Sequence, residues 1–295
     1  MTEPAPDEPR SEPGAAAPAV SSPAPAVSSP APAEEVLRYY SRGGEDGRLR
    51  AGVGRLEFLR TQDVLRRLLP SSPSLVLDVG GGSGVHARWL AQEDGHRVEL
   101  FDPVPLHVEQ AAQLAGVEAR VGDARALPVA DGSADAVLLL GPLYHLTERR
   151  ERVRALAEAR RVVRPGGPVV AATVNRYSAL LDQMNQGAYF EPAEREFVDS
   201  AGETGLHPRP DGGFWAYLHQ PADAAAEFED AGLEVAGQYG VEGAVWLMRE
   251  AAGRLTDEDR LPTVLDALRA TESVPSLLGV SAHLLTAGTA PADAV

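Results

Sequence analysis

Between residues 78 and 84 the chain reads Asp78-Val79-Gly80-Gly81-Gly82-Ser83-Gly84, an acid two residues ahead of alternating glycines. Glycine has no Cβ, so a backbone of this kind can turn tightly and come close to a bound molecule. The N–H groups of a helix starting there attract polar or anionic atoms. Asp102 follows 18 residues after Gly84. An ionised carboxylate is an acceptor only and can take both hydroxyls of a ribose. His145 adds a group that titrates near neutral pH, a general acid or base if it borders the same crevice. Together these residues describe a nucleoside-binding turn with proton-transfer chemistry at its edge.

The elements that must position them follow from periodicity. The apolar run 75–79 reads as a buried strand, and the amphipathic segment 85–92 as a helix stopped by Gly95. Residues 96–102 read as a second strand ending at Asp102, 106–114 as a helix, and 118–121 as a third strand running into Gly122-Asp123-Ala124. A fourth strand ends at Leu140 and opens into Gly141-Pro142-Leu143-Tyr144-His145-Leu146. Thr147 can cap the helix that follows, with Glu148 and Glu151 near its start. Arg164-Pro165-Gly166-Gly167 then stops that helix before a strand over 168–174. Alternating strands and helices predict a mostly parallel sheet whose ligands sit beyond the carboxyl ends of the strands. That gathers residues 80–84, Asp102, Asp123, residues 141–145, Asn175 and Glu242 around one crevice.

The spacing bears on the ligand. A dinucleotide fingerprint G-x-G-x-x-G begun at Gly80 would need glycine at position 85, where Val85 stands. The pattern Asp78-x-Gly80-x-Gly82-x-Gly84 instead resembles the first motif of the class I S-adenosylmethionine-dependent methyltransferases. The likeness continues in order through Asp102, Asp123, the run Leu127-Pro128-Val129-Ala130-Asp131-Gly132-Ser133-Ala134-Asp135-Ala136-Val137, and the Arg164-Pro165-Gly166-Gly167 turn, covering about 75–174. It is similar to stand-alone small-molecule members of the quinone-biosynthesis type. The resemblance implies a doubly wound seven-stranded α/β sheet with an antiparallel last strand, and S-adenosylmethionine as cofactor. It further implies that Asp78, Gly80, Gly82, Gly84, Asp102, Asp123 and Ala124 hold the cofactor, with Asp123 reading the adenine amino group. Tyr39 and Tyr40 fall in an N-terminal segment that covers the cofactor in such enzymes, and Tyr40 is its candidate contact.

Outside this block, residues 1–33 form a Pro/Ala/Ser-rich near repeat with too little apolar surface to offset its ordering entropy, and a disordered tail is expected. One methyltransferase domain is expected over 34–295: a helical cover at 34–70, a cofactor-binding core at 71–174, a lid insertion rich in aromatic residues at 175–220, and C-terminal strands and helices at 221–295. In the last part, helices are expected over 221–232, 242–254 and 257–270, and strands over 233–241 and 280–287. His145 is the first candidate for acid–base catalysis and His219, after the lid, the second. Tyr144, Tyr217 and Glu242 are candidates for binding the acceptor, whereas His86 and His283 are given no catalytic role.

Composition narrows the partners. With 43 acidic against 27 basic residues the net charge is −16, so the mean field repels phosphate backbones and anionic membranes. A small-molecule substrate is expected rather than nucleic acid or membrane. Cysteine is absent, which excludes disulfides and thiolate metal sites, and no H-E-x-x-H or tight Asp/His run suggests a metal. No apolar run is long enough to span a bilayer and no secretory signal is visible, which fits a cytoplasmic protein. Methyl transfer to a small molecule is the leading function. A peptide or protein side-chain methyltransferase, an NAD-dependent oxidoreductase, and a non-catalytic cofactor-binding partner protein are the alternatives.

Overall fold

A computed structural model of the chain describes residues 1, 49, 52–208, 215–248, 257 and 259–292. The expected tail over residues 2–33 and the candidate Tyr40 lie outside the described residues. The first described helix, α1 (Gly52–Leu68), buries Leu56, Arg60, Val64 and Leu65 along one stripe. The α/β core then unfolds in order: β1 (Leu75–Val79), α2 (Val85–Gln92), β2 (Arg97–Asp102), α3 (Pro105–Ala111), β3 (Val117–Val121) and β4 (Ala136–Leu139). A single 3-10 turn, Leu143–His145, leads to α4 (Arg149–Val162) and β5 (Pro168–Val174).

The second half holds α5 (Ser178–Gln186), α6 (Pro192–Thr204), a short hairpin of β6 (Leu206–His207) with β7 (Ala216–Tyr217), α7 (Pro221–Asp230) and β8 (Glu234–Gly240). After these come α8 (Leu261–Thr271), α9 (Pro275–Leu278) and β9 (His283–Thr289). The expected helix over 242–254 is a 3-10 turn, Val245–Leu247, in its described part. Gly243 at φ +53 and extended Met248 break the helical path on either side.

Seven strands form one sheet in the order β3-β2-β1-β4-β5-β9-β8. The first five are parallel, and β9 runs antiparallel between β5 and β8. Strand periodicity splits the core in two. Leu77, Val79, Val137, Leu139 and Val169 face α4 and Phe228 of α7, while Val76, Val98, Leu100, Leu138 and Val170 face α1 and α2. Both faces of the central strands are therefore dry, which is why they read as continuous apolar runs. The layering brings the carboxyl ends of β1, β2, β4 and β5 to one rim, under the N-terminal part of α1.

Candidate active site

The turn after β1 places Gly80, Gly82 and Gly84 at φ +72°, +58° and +88°. Such angles are strained for any residue with a Cβ. Gly81 answers a different constraint, since a Cβ there would lie 2.6 Å from Asp78 Oδ2 and from Leu100 Cδ1. Asp102, at the end of β2, ties the turn down: its Oδ2 accepts the Gly82 N–H at 2.9 Å and its Oδ1 accepts the Val104 N–H at 2.9 Å. His107 Nδ1, on the first turns of α3, lies 3.1 Å from Asp102 Oδ1. Oδ2, with one partner, keeps a lone pair for a ligand hydroxyl.

Asp78 behaves differently. It is fully buried, and neither of its carboxyl oxygens has a hydrogen-bond partner among the described residues. Burial pushes its pKa up to about 7, and the neighbouring Asp102 adds to the rise. An acid in this state gains most from a ligand that brings positive charge.

These groups line a cavity of about 510 Å³ beyond the strand ends. Among the described residues, six carboxylates border it, from Glu57, Asp78, Asp102, Asp123, Glu148 and Glu151, against one guanidinium, that of Arg125. Arg125 is itself spent: it pairs with Asp123 at 2.6 Å and with Glu151 at 2.9 Å. The Arg125 hydrogen bonds hold the Asp123 carboxyl below its usual pKa, so it stays an acceptor. A pyrophosphate would meet repulsion here, whereas a sulfonium and an ammonium would be attracted. The antiparallel β9 inside the sheet also departs from the all-parallel dinucleotide fold.

Residues 76–167 match a family model described as a methyltransferase domain. Methyltransferase GfsG of Streptomyces halstedii is 35% identical over 121 residues, 39% of this chain and 42% of the relative. The ubiquinone/menaquinone biosynthesis C-methyltransferase UbiE of Acidiphilium cryptum is 36% identical over 126 residues, 39% of this chain and 47% of the relative. A ubiquinone biosynthesis O-methyltransferase of Xylella fastidiosa is 29% identical over 202 residues, covering 66% of this chain and 74% of the relative. The chain thus spans less than half of GfsG and of UbiE. Among solved structures, a SAM-dependent methyltransferase from Methanosarcina mazei shares the fold at a TM-score of 0.53 and 17% identity, covering 78% of this chain and 98% of that one. The matched segment is thus similar to a methyltransferase domain, and the chain shares the fold of the class I S-adenosylmethionine-dependent methyltransferases.

Against this family frame, the cofactor-side residues expected from the sequence come together. Asp78, Gly80, Gly82, Asp102, Asp123 and Ala124 line the cavity, and Gly84 is the N-cap of α2 just behind them. On the far wall, Tyr144 and His145 also line it. His145 Nδ1 lies 2.8 Å from the Trp215 carbonyl oxygen, so that nitrogen carries the proton and the other is the acceptor. Desolvation lowers the His145 pKa to about 4, which keeps the ring neutral at physiological pH. A ring so tuned is a weak base and a well-fixed acceptor.

Three candidates lie outside this cavity. His219 is fully buried behind it, its Nε2 3.4 Å from Glu227, and desolvation lowers its pKa. Tyr217 is sandwiched by arginines, with the Arg152 guanidinium 3.8 Å and that of Arg176 5.4 Å from its ring centre. Both serve the buried Arg152–Glu227 ion pair at 2.8 Å. Glu242 is buried against Ser281 and His283.

The insertion after β5 is described over residues 175–208 and 215–220. None of its described residues lines the cavity, and α5 instead borders a second one of about 440 Å³, with Val174, His207, Leu218, Trp246 and His283. Tyr144 lines the first space and packs against the buried cluster Ala201, Ala216 and Leu218, the last of which lines the second. Sequence reasoning missed Leu49, Glu57, His86 and His107 as lining residues. Of these only His107, five residues after Asp102 on a Pro-initiated helix, had a local signal.

Proposed function

We propose that this protein transfers a methyl group from S-adenosylmethionine to a small-molecule acceptor. The reading is carried by one observation, the acidic cavity at the strand ends with its orphaned Asp78 carboxyl. When bound, the cofactor supplies an activated methyl on a positively charged sulfur. The chain's task is then to hold the acceptor in line and to keep water out, an effect worth up to about 7–11 kcal/mol in favourable systems. Asp78 would face the ammonium, Asp102 the ribose and Asp123 the adenine amino group. Tyr144 would wall the methyl channel, and the acceptor nitrogen of His145 would orient or deprotonate an acceptor hydroxyl or amine.

A small acceptor is supported by the likeness to methyltransferases of ubiquinone and menaquinone biosynthesis, by the net charge of −16, and by the second cavity near Tyr144. No described helix is long and apolar enough to cross a membrane. Calorimetry with S-adenosylmethionine tests the cofactor, and release of S-adenosylhomocysteine across a panel of phenols, amines and carboxylic acids tests the acceptor. Absence of cofactor binding by the folded protein would end this reading. Turnover with peptides but no small molecule would move it to side-chain methylation.

A further inference from the structure

Between the two cavities, three side chains from separate parts of the fold converge. Glu57 projects from α1, Glu242 follows β8, and His283 opens β9. One ligand atom from each lies within 4.8 Å of the others. His283 Nδ1 is 2.6 Å from Glu242 Oε1 and 3.9 Å from Glu57 Oε2. We propose that Glu57, Glu242 and His283 form a binding site for one divalent transition-metal ion at the junction of the two cavities.

The chemistry of the set points this way. Two carboxylates and an imidazole suit first-row ions such as Mn²⁺, Fe²⁺ or Zn²⁺. Glu242 is 1% exposed, and a bound cation would offset the cost of burying its carboxylate.

The surroundings hold the ligands in place, as metal sites require. Glu242 Oε2 accepts the Ser281 hydroxyl and the His283 N–H, both at 2.9 Å, which leaves Oε1 as the atom turned to the imidazole. Ser281 Oγ in turn accepts the N–H groups of Glu242 and Gly243. Asn175 braces the same loop, donating from Nδ2 to Leu278 O and Ser281 O. Glu57 lines the larger cavity and His283 the smaller, so an ion bound between them has open coordination positions toward both.

The site stands apart from methyl transfer; its use there, as a Lewis acid toward an acceptor oxygen, rests on the proposed function. The test is titration of chelator-treated, dialysed protein with ZnCl₂ and with MnCl₂ by calorimetry, with the Mn²⁺ resonance spectrum as a second readout. One ion per chain is expected. Affinity should fall at least about tenfold in Glu57→Gln and in His283→Ala. Both positions are partly exposed, so these variants should stay folded, which circular dichroism checks. Glu57→Asp, which keeps a carboxylate, should retain part of the affinity. Failure of both ions to bind, or binding undiminished in both loss variants, overturns the site. S-adenosylmethionine titrations on the same samples report separately on the cofactor cavity.

Discussion

The cofactor side of the rim and the side facing the second cavity are built by opposite means. On the first, the contacts that shape the site are local: Asp102 reaches Val104, His107 and Gly82, at separations of 2, 5 and 20 residues. On the second, Glu242 meets His283 across 41 residues, Arg152 meets Glu227 across 75, and Arg60 meets Glu272 across 212. A ligand cradle made of one turn and one strand end can be specified by a short motif. The other side is assembled from distant segments, so its ion pairs must hold the fold as well.

The largest effect should come from the local side. Gly82→Val forces a branched residue to φ +58° and should abolish S-adenosylmethionine binding in calorimetry while leaving the thermal transition in place. Retained affinity would mean that the turn is not the cradle. On the distributed side, Arg152→Ala leaves Glu227 buried without its partner and should cost about 3–5 kcal/mol in denaturant unfolding. A loss near zero would show that the wall is not held by this pair.

The third prediction concerns pH. Asp78 has a folded pKa raised to about 7 from 3.8, so its neutral form is the one the cofactor-free fold favours. That stabilisation is complete below the unfolded value and is lost as pH rises through 7. Asp78→Asn should therefore become progressively more stable than the wild type from pH 4 to 7 and hold that margin above it. Parallel pH profiles of the two proteins would contradict the burial argument.

A smaller change is expected at the far wall. His145→Ala should reduce turnover on the order of tenfold or more with cofactor affinity unchanged. With the pKa near 4, the wild-type rate should be flat through neutral pH; equal turnover in the variant would remove His145 from the reaction. The smallest effect belongs to the exposed pair Arg149–Asp230, where Asp230→Ala should alter stability by less than about 1 kcal/mol. A larger loss there would blur the distinction between buried and solvent-exposed pairs.

The legible part of the sequence was the part whose physics is short-ranged. Strand β1, its glycine turn and the start of α2 follow from an apolar run meeting residues without a Cβ. Asp102 follows from the strand that ends in it, and Asp123 from the next. The placement of Tyr217 and His219 was not legible, because an aromatic ring reads the same whether it lines a cavity or sandwiches between Arg152 and Arg176. His283 read as a strand interior, yet it opens β9 beside Glu242 and Glu57.

The amino-acid order alone determined the β/α alternation, the glycine turn and its acids, because backbone sterics and periodicity act within a few residues. Only the tertiary structure decided that six carboxylates share one cavity, that the insertion after β5 borders a different one, and that two glutamates and a histidine meet at the seam. Those outcomes depend on β9 pairing between β5 and β8 and on α1 packing over the rim, contacts between segments that no local pattern encodes.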